Sequence, residues 1–411
     1  MSSFVRQVKR LDRPLASLLG RLDIELTERC NNRCIHCYIN QPEDDRRLKA
    51  AEMDTAFVQS ILKQAADLGC LLVRFTGGEP LLREDFTEIY LYARRLGLKV
   101  VLFTNARLIN PELARLFARI PPGEPVEVSV YGMRAASYDA VAAVPGAFDQ
   151  FRQGIALLQE YRVPFVVKQS LLPQNRDELP EFEAFAATLP YMERQPGYAM
   201  NFDLRARRDD EAKNCLIRRL RLSPDETLAM LTRGGPEKYI EVIREFAGRF
   251  MRPSGDKIFH CGAGFSPCVD AYGNAQMCML LRHPDTVYPL DQALHRKRNP
   301  ETDLLPLEYA LTEFFPLVRQ MRSGNPAYLQ RCAVCFLKGL CDQCPGKSWG
   351  EHGDLDTPVN YLCQVAHKKA NFLNLLFAGE KSWELPPEVW QARLKAFIHK
   401  FGPVKDLTKT C

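Results

Sequence analysis

Between Leu22 and Arg207, short apolar, β-prone runs alternate with longer stretches in which apolar residues recur every three or four positions. That alternation predicts successive strand–helix units of a parallel sheet. Leu22–Thr27 reads as the first strand. Met53–Leu68 reads as a helix, with Phe57, Ile61, Leu62 and Ala65 on one stripe and Gly69 as its stop. The second strand is Leu71–Thr76, and further strands are predicted at Lys99–Thr104, Val126–Tyr131, Phe165–Leu171 and Ala199–Leu204. Helices fall between them near Asp85–Leu96, Pro111–Ala118, Phe148–Tyr161 and Glu178–Ala187. Continuous runs such as Phe165-Val166-Val167 suit a sheet buried on both faces. Six such units give an α/β fold, a partial (β/α)6 TIM-like barrel whose reactive loops leave the C-terminal ends of the strands.

Beyond Arg208 the pattern turns to charged helical stretches. Ser223 and Pro224, followed by acidic Asp225 and Glu226, mark a helix start, and Glu237–Phe250 is amphipathic. From Cys261 to Cys363 the chain is rich in cysteine, glycine and turn signals, and it becomes helical again from Lys368. The expected organisation is therefore an N-terminal extension (1–20), a barrel core (21–207), a helical connector (208–255), a small cysteine-rich domain folded around metal (256–370) and a helical tail (371–411) folded back on the barrel.

Composition narrows the classes. With 411 residues and 46% hydrophobic content, the chain can bury a large core. A net charge of +5, spread without blocks of one sign, gives no reason to expect nucleic acid. No uncharged apolar run is long enough to cross a membrane, and the N-terminus lacks the apolar core of a secretory signal. A cytoplasmic location is expected, and there 14 cysteines point to metal rather than to disulfides.

The cysteines carry the chemistry. Cys30, Cys34 and Cys37 follow the first strand in the run Leu26-Thr-Glu-Arg-Cys-Asn-Asn-Arg-Cys-Ile-His-Cys-Tyr38. A cubane iron–sulfur cluster takes four thiolates, so three on one loop leave an iron open to a small molecule. Zinc also accepts thiolates and can keep an open position. After the second strand comes Thr76-Gly77-Gly78-Glu79-Pro80. Its glycines permit close backbone approach, and Glu79 can accept a charge-assisted hydrogen bond. An ordinary strand-to-helix turn would favour the same residues.

Taken in this order, the Cys-X3-Cys-X2-Cys loop and the Gly-Gly-Glu-Pro turn resemble radical S-adenosylmethionine (SAM) enzymes. The resemblance implies a [4Fe-4S] cluster on Cys30, Cys34 and Cys37 that chelates SAM. Gly77, Gly78, Glu79 and Pro80 would lie at the methionyl amino group. Electron transfer into SAM then yields a 5′-deoxyadenosyl radical. The same resemblance puts Ser129, in Val-Ser-Val-Tyr-Gly, at the ribose, and Asn105 and Arg205 at strand ends around the cofactor. Ser129 also suits an ordinary outward strand serine, and Asn105 and Arg205 also suit capping or solvating a loop. His36 stands where these enzymes usually carry an aromatic residue near adenine, so the resemblance implies a stacking or backbone role, and ligation by it would close the open iron.

The carboxy-terminal cysteines are Cys261, Cys268, Cys278, Cys332, Cys335, Cys341, Cys344 and Cys363. With Gly273 five residues before Cys278, and with Cys332-X2-Cys335-X5-Cys341, they resemble the SPASM extension of radical SAM enzymes. One departure is that two residues, not three, separate Cys341 from Cys344. The resemblance implies two auxiliary [4Fe-4S] clusters, one on Cys261, Cys268, Cys278 and Cys344, the other on Cys332, Cys335, Cys341 and Cys363. Paired structural zinc sites are the alternative. Cys70 reads as packing, and Cys215 and Cys411 have no assigned role.

By resemblance the reaction is abstraction of a hydrogen from a peptide or protein side chain, as in maturation of ribosomally made peptides, with a flavodoxin- or ferredoxin-type reductant. Too little chain precedes Leu22 for a leader-binding domain, so a separate peptide-recognition protein or direct docking is expected. An anaerobic sulfatase maturase is an alternative, weakened because Met279 follows Cys278 where that group carries an Asp, and Asp270 lies before the turn. A further alternative is a non-catalytic electron carrier or cofactor-assembly scaffold.

Overall fold

In strand β1 (Arg21–Thr27), Leu22, Ile24 and Leu26 are fully buried on one face, while Asp23 and Glu25 are buried on the other. A strand hidden on both sides belongs in the middle of a sheet. The computed structural model describes residues 19–193, 196–261, 264, 266–290 and 302–400. Its strands are β1, β2 (Arg29–Cys30), β3 (Gln41–Pro42), β4 (Leu72–Gly77), β5 (Lys99–Thr104), β6 (Val126–Val130), β7 (Phe165–Ser170), β8 (Gly197–Ala199), β9 (Cys268–Val269), β10 (Asn274–Gln276) and β11 (Val287–Pro289). The order β1-β4-β5-β6-β7-β8 is parallel throughout, with helices between successive strands. This is the parallel-strand core of a partial (β/α)6 barrel.

Local signals fix the helices close to where the sequence puts them. Asp54 caps Thr55–Asp67 by accepting from Phe57 N–H at 2.7 Å, and Gly69 ends that unit with φ of 86°. Asn110 caps Pro111–Arg119. Ser223 and Glu226 form a reciprocal capping box at the start of Pro224–Thr232. An additional helix, Ala135–Ala142, has no counterpart in the sequence reading, because its alanine-rich run gives little amphipathic contrast.

The sixth strand differs. It covers Gly197–Ala199 and stops where the apolar run Ala199–Leu204 was expected to pair. Phe202 and Leu204 instead pack into a cluster with Val141, Leu172, Ile217 and Leu220, and Arg205 N–H is satisfied by the Asn214 side chain at 2.8 Å. The apolar residues signal packing there, not pairing. In β6 and β7, buried Val126, Val128, Val130, Phe165 and Val167 alternate with half-buried Glu127, Ser129, Lys168 and Ser170. Gln169 apart, one face is apolar, and the other, Val166 apart, is a polar barrel lining.

The chain divides into two compact units, residues 1–221 with 262–318, and residues 222–261 with 319–411. This division differs from the stretches read from sequence. Residues 268–289 join the barrel sheet: β9 pairs in parallel with β1 through Asp23↔Cys268 and Ile24↔Val269, and β10 and β11 continue antiparallel. Residues 1–18 and 401–411, including Cys411, lie outside the described residues. The tail helix Pro387–Lys400 belongs to the core of the second unit, where Trp390 stacks on Phe336 at 5.2 Å and Phe397 joins Tyr239, Met251 and Leu376.

One close approach ties a barrel helix to the strand ends. A Cβ on Gly154, in helix Ala147–Glu160, would stand 2.0 Å from the Ala106 carbonyl oxygen, one residue past Asn105. Alanine in a helix normally gains about 1 kcal/mol over glycine, but overpacking against fixed backbone costs about 1–3 kcal/mol or more. Gly154→Ala is expected to lower the urea midpoint and the melting temperature. A rise would show that the turn at Ala106 yields freely.

Candidate active site at the end of the parallel strands

The cysteine loop is held by backbone from every side. Gly78 N–H donates to Thr27 O at 2.7 Å, and Glu79 N–H donates to Arg29 O at 2.9 Å. Arg33 N–H and Ile35 N–H reach Ala142 O and Val141 O at 2.9 and 3.0 Å, and Ala206 N–H reaches Tyr38 O at 3.0 Å. The Arg29 guanidinium pairs with Glu52 at 2.8 and 3.1 Å and bonds the Glu43 carbonyl. The glycines are obligatory for this approach: a Cβ would meet Thr27 O at 2.0 Å from Gly77 and Arg29 O at 2.2 Å from Gly78. Gly77 also has φ of 123°.

The loop places three thiols in one buried setting. Cys30 and Cys34 are buried and Cys37 is half-buried. Burial, then Cys34, pushes the Cys30 thiol up; burial, then Cys37, pushes Cys34 up to about 12. Donors already point at the sulfurs, with Asn32 N–H at 3.4 Å from Cys30 Sγ and Asn40 N–H at 3.4 Å from Cys37 Sγ. Cations surround the loop. Arg107 bonds Asn31 O and the Asn32 side chain, Lys213 bonds the Asn40 side chain, and the Arg205 guanidinium reaches Asn40 O at 3.1 Å and Cys37 O at 3.5 Å. Asp209 offsets Arg205 through two 2.8 Å bonds. Among the described residues, no three His, Cys, Asp or Glu side chains are gathered to hold a single metal ion. Three mutually repelling thiols with N–H donors and flanking cations fit a cationic metal cluster, which would keep them deprotonated.

The remaining sequence candidates separate into two groups. Glu79 and Asn105 are brought to the loop. The Glu79 carboxylate is fully buried and accepts from Thr104 Oγ1 at 2.9 Å, Asn105 N–H at 2.8 Å and Leu81 N–H at 3.1 Å. Burial pushes it up to about 7 against those bonds. Asn105 donates to Asn31 Oδ1 at 2.8 Å and stands 3.9 Å from Cys30 Sγ. Pro80 starts the short helix Pro80–Leu82 that Glu79 caps. Ser129 lies on the polar lining of β6, beside Lys168 in register, and makes no direct contribution to the loop among the bonds described. His36 is enclosed by aromatic rings, 4.9 Å from Phe202 and 5.7 Å from Tyr131 between centroids, and burial pushes its imidazole down to about 3. Sequence reading missed Arg107 and Lys213. Arg107 could have been found as the next polar side chain after Asn105 at a strand end, whereas Lys213 comes from helix Glu211–Leu220, which carries no motif.

The radical SAM superfamily model matches residues 24–186. The chain carries a radical SAM domain. Similar curated proteins include an AdoMet-dependent heme synthase of Methanosarcina barkeri (strain Fusaro / DSM 804), 32% identical over 38% of this chain and 43% of its own length. A PqqA peptide cyclase of Xanthomonas euvesicatoria pv. vesicatoria (strain 85-10) is 36% identical over 42% of this chain and 44% of its own length. The chain spans under half the length of these curated relatives. Among solved structures, native anSMEcpe with bound AdoMet and Cp18Cys peptide superposes with TM-score 0.54, 15% identity and coverage of 91% of this chain and 99% of that one. Streptococcus suis SuiB bound to S-adenosylmethionine gives TM-score 0.54, 18% identity and coverage of 84% and 75%. At these identities the two structures share the fold.

Next to the cysteine loop of the radical SAM domain, a buried ionic network joins β1 to the added hairpin. Arg282 grips Glu25 at 2.6 and 2.7 Å and Glu28 at 2.7 Å, while Arg207 bonds Glu28 and Asp270. Asp270 also accepts from Tyr272 and Asn274 backbone N–H groups, setting the turn at Gly273. Asp270 thus anchors the hairpin turn. Burial, with Glu28 and Asp270 nearby, pushes Glu25 up to about 7 against the pull of Arg282. Cys268 is buried in the same network and is pushed up by burial and then by Glu25.

The auxiliary cysteines fall in both units. Cys268 and Cys278 lie in the first, and Cys261 and Cys344 in the second. Cys332, Cys335, Cys341 and Cys363 line one recess within the second unit, with Lys338 and His367 beside them. Cys70 is buried just ahead of β4, and Cys215 is exposed on helix Glu211–Leu220.

Two outcomes follow. Gly78→Ala is expected to displace the cysteine loop, giving a protein that loses the iron carried by Cys30, Cys34 and Cys37 when assayed after reconstitution; full retention of that iron would contradict the clamp. In the barrel lining, Lys168 Nζ stands 3.2 Å from Glu127 and 3.2 Å from the Phe103 ring centroid. Burial pushes its ammonium down to about 8, against the pull of Glu127. Its folded value lies below the ordinary lysine value of about 10.4, so the unfolded chain binds the extra proton between those limits. Stability of wild type relative to Lys168→Met should therefore rise as pH climbs through that window, read from urea midpoints. A flat difference would refute the depressed lysine.

Proposed function

We propose that this chain is a radical SAM enzyme that cleaves SAM reductively and removes a hydrogen from a peptide or protein side chain. The observation that carries the reading is the open set of three thiols, clamped by Gly77 and Gly78 and framed by cations. Cys30, Cys34 and Cys37 would hold a [4Fe-4S] cluster, with Gly77, Gly78, Glu79 and Pro80 near the methionyl group and Asn105, Ser129 and Arg205 around the rest of SAM. When bound, cluster and SAM together supply a 5′-deoxyadenosyl radical. The protein aims N–H donors and cations at the loop that would hold the cluster, buries Asn31, Asn32 and Asn40 around it, and would offer a polar barrel lining to the substrate.

The eight carboxy-terminal cysteines support two auxiliary clusters in the arrangement expected from sequence. A peptide substrate is supported by the likeness to PqqA peptide cyclases over the barrel. A flavodoxin- or ferredoxin-type protein would supply electrons, and a separate recognition protein would present the peptide. A second reading, a tetrapyrrole-type substrate, is favoured by the comparable likeness to AdoMet-dependent heme synthases. No helix among the described residues is long and apolar enough to cross a membrane.

Anaerobic reconstitution tests the reading. About twelve irons per chain, at four per cluster, and 5′-deoxyadenosine release after dithionite are expected, with release lost in the Cys30/Cys34/Cys37→Ala variant. A mass change in a candidate precursor peptide supports the first reading, and turnover of an iron porphyrin supports the second. Zinc in place of iron, or no SAM cleavage from a fully loaded protein, would refute the proposal.

A further inference from the structure

The recess lined by Cys332, Cys335, Cys341 and Cys363 is approached by a strap from the tail. Helix Asn360–Phe372 is followed by an irregular stretch that leads into Pro387–Lys400, and Ser382 lies in a turn of that stretch with no exposed surface. Its backbone N–H donates to His367 Nε2 at 3.2 Å. His367 Nδ1 is then the protonated nitrogen, donating to the Cys363 carbonyl at 2.8 Å. Trp383 stands edge-on to His367 at 5.3 Å, and the Arg331 guanidinium lies 4.8 Å above the Trp383 ring.

This latch fixes the Ser382 hydroxyl 3.0 Å from Cys335 Sγ. The same sulfur accepts from Leu337 N–H at 3.4 Å. A thiolate bound to iron carries no proton, so a neighbouring hydroxyl can only donate to it. In water such a donor would matter little, because solvent would replace it. Ser382 itself is fully buried beside a half-buried Cys335, so its hydroxyl is held at the sulfur by the protein and not by solvent.

We infer that Ser382 is a positioning residue that tunes an iron–sulfur cluster held by Cys332, Cys335, Cys341 and Cys363, its hydroxyl donating to the Cys335 sulfur and raising the cluster's reduction potential. The inference rests on the auxiliary-cluster reading above. Reduction adds one electron whose charge spreads over the sulfurs, so a donor stabilises the reduced state more than the oxidised one. The tail thereby acts on electron transfer without supplying a ligand.

The test is an EPR-monitored redox titration of the reconstituted full chain. The signal of this cluster is the one lost in Cys332→Ala/Cys363→Ala. Ser382→Ala is expected to lower its potential, with the reduced-to-oxidised ratio at a fixed potential falling roughly tenfold, about 59 mV for a one-electron couple. Ser382→Thr, which keeps the hydroxyl, should return most of the shift. An intact signal with an unmoved potential in Ser382→Ala overturns the tuning role. Absence of any signal that depends on Cys332 and Cys363 overturns the cluster reading instead. If Ser382→Ala does not fold, electron-nuclear double resonance on the wild type in H2O and D2O decides. A strongly coupled exchangeable proton beyond those of the Leu337 and Gln343 amides and of His367 Nδ1–H supports the inference, and its absence overturns it.

Discussion

Two hydrogen bonds, from Gly78 N–H to Thr27 O and from Glu79 N–H to Arg29 O, set the distance between the turn after β4 and the loop after β1. Everything at the cysteines depends on that distance. A backbone that approaches so closely has no space for a Cβ at either glycine, so the Gly-Gly pair is a packing requirement before it is a binding one. Glu79 continues the clamp to the next strand, since its carboxylate bonds Thr104 and Asn105 at the end of β5. Asn105 in turn reaches Asn31 beside Cys30. Three consecutive strand ends are thus tied to one loop by short-range bonds, and the thiols inherit the rigidity of the sheet.

Much of this was legible in the sequence, for identifiable reasons. Strand and helix positions follow from periodicity that is local, so β1, β4, β5, β6 and β7 fall within a residue of expectation at most ends. The cysteine triplet and Gly77–Pro80 are local motifs of the same kind. What escaped depends on pairs far apart in the chain. Glu25 and Arg282 are 257 positions apart, and nothing near either residue announces the other. The two-residue strand Cys268–Val269 is too short to give an alternating pattern, yet it carries the hairpin into the barrel sheet. Phe202 and Leu204 show the opposite failure, where an apolar run of strand-like composition serves packing alone.

The buried ionic network is best understood as specification of that hairpin. Arg282 is almost wholly buried with two carboxylates within 2.7 Å. Desolvating such groups consumes most of their attraction, so a network of this type adds little net stability compared with apolar residues. Losing one partner is different, because it strands a buried charge at a cost of about 3–5 kcal/mol. Such a device penalises wrong registers more than it rewards the right one. It fixes β9 against β1 at Asp23↔Cys268, where two residues of pairing could not do so by themselves.

The same network separates the cysteines electrostatically. Around Cys30, Cys34 and Cys37 the nearby ionic groups include Arg107, Arg205 and Lys213, which favour thiolates, and Glu79, which opposes one at Cys30. Around Cys268 they include Glu25, Asp23 and Asp270, which oppose a thiolate, with Arg282 alone acting the other way. A metal cation near Cys268 would answer the carboxylates as well as the sulfur, whereas a neutral thiol suits the hairpin as it stands. Ligation at Cys268 would therefore require the metal to offset the carboxylates around it. At the first loop burial also holds the Cys30 and Cys34 thiols up, so there too a metal would have to supply the charge that deprotonates them, with the nearby cations assisting.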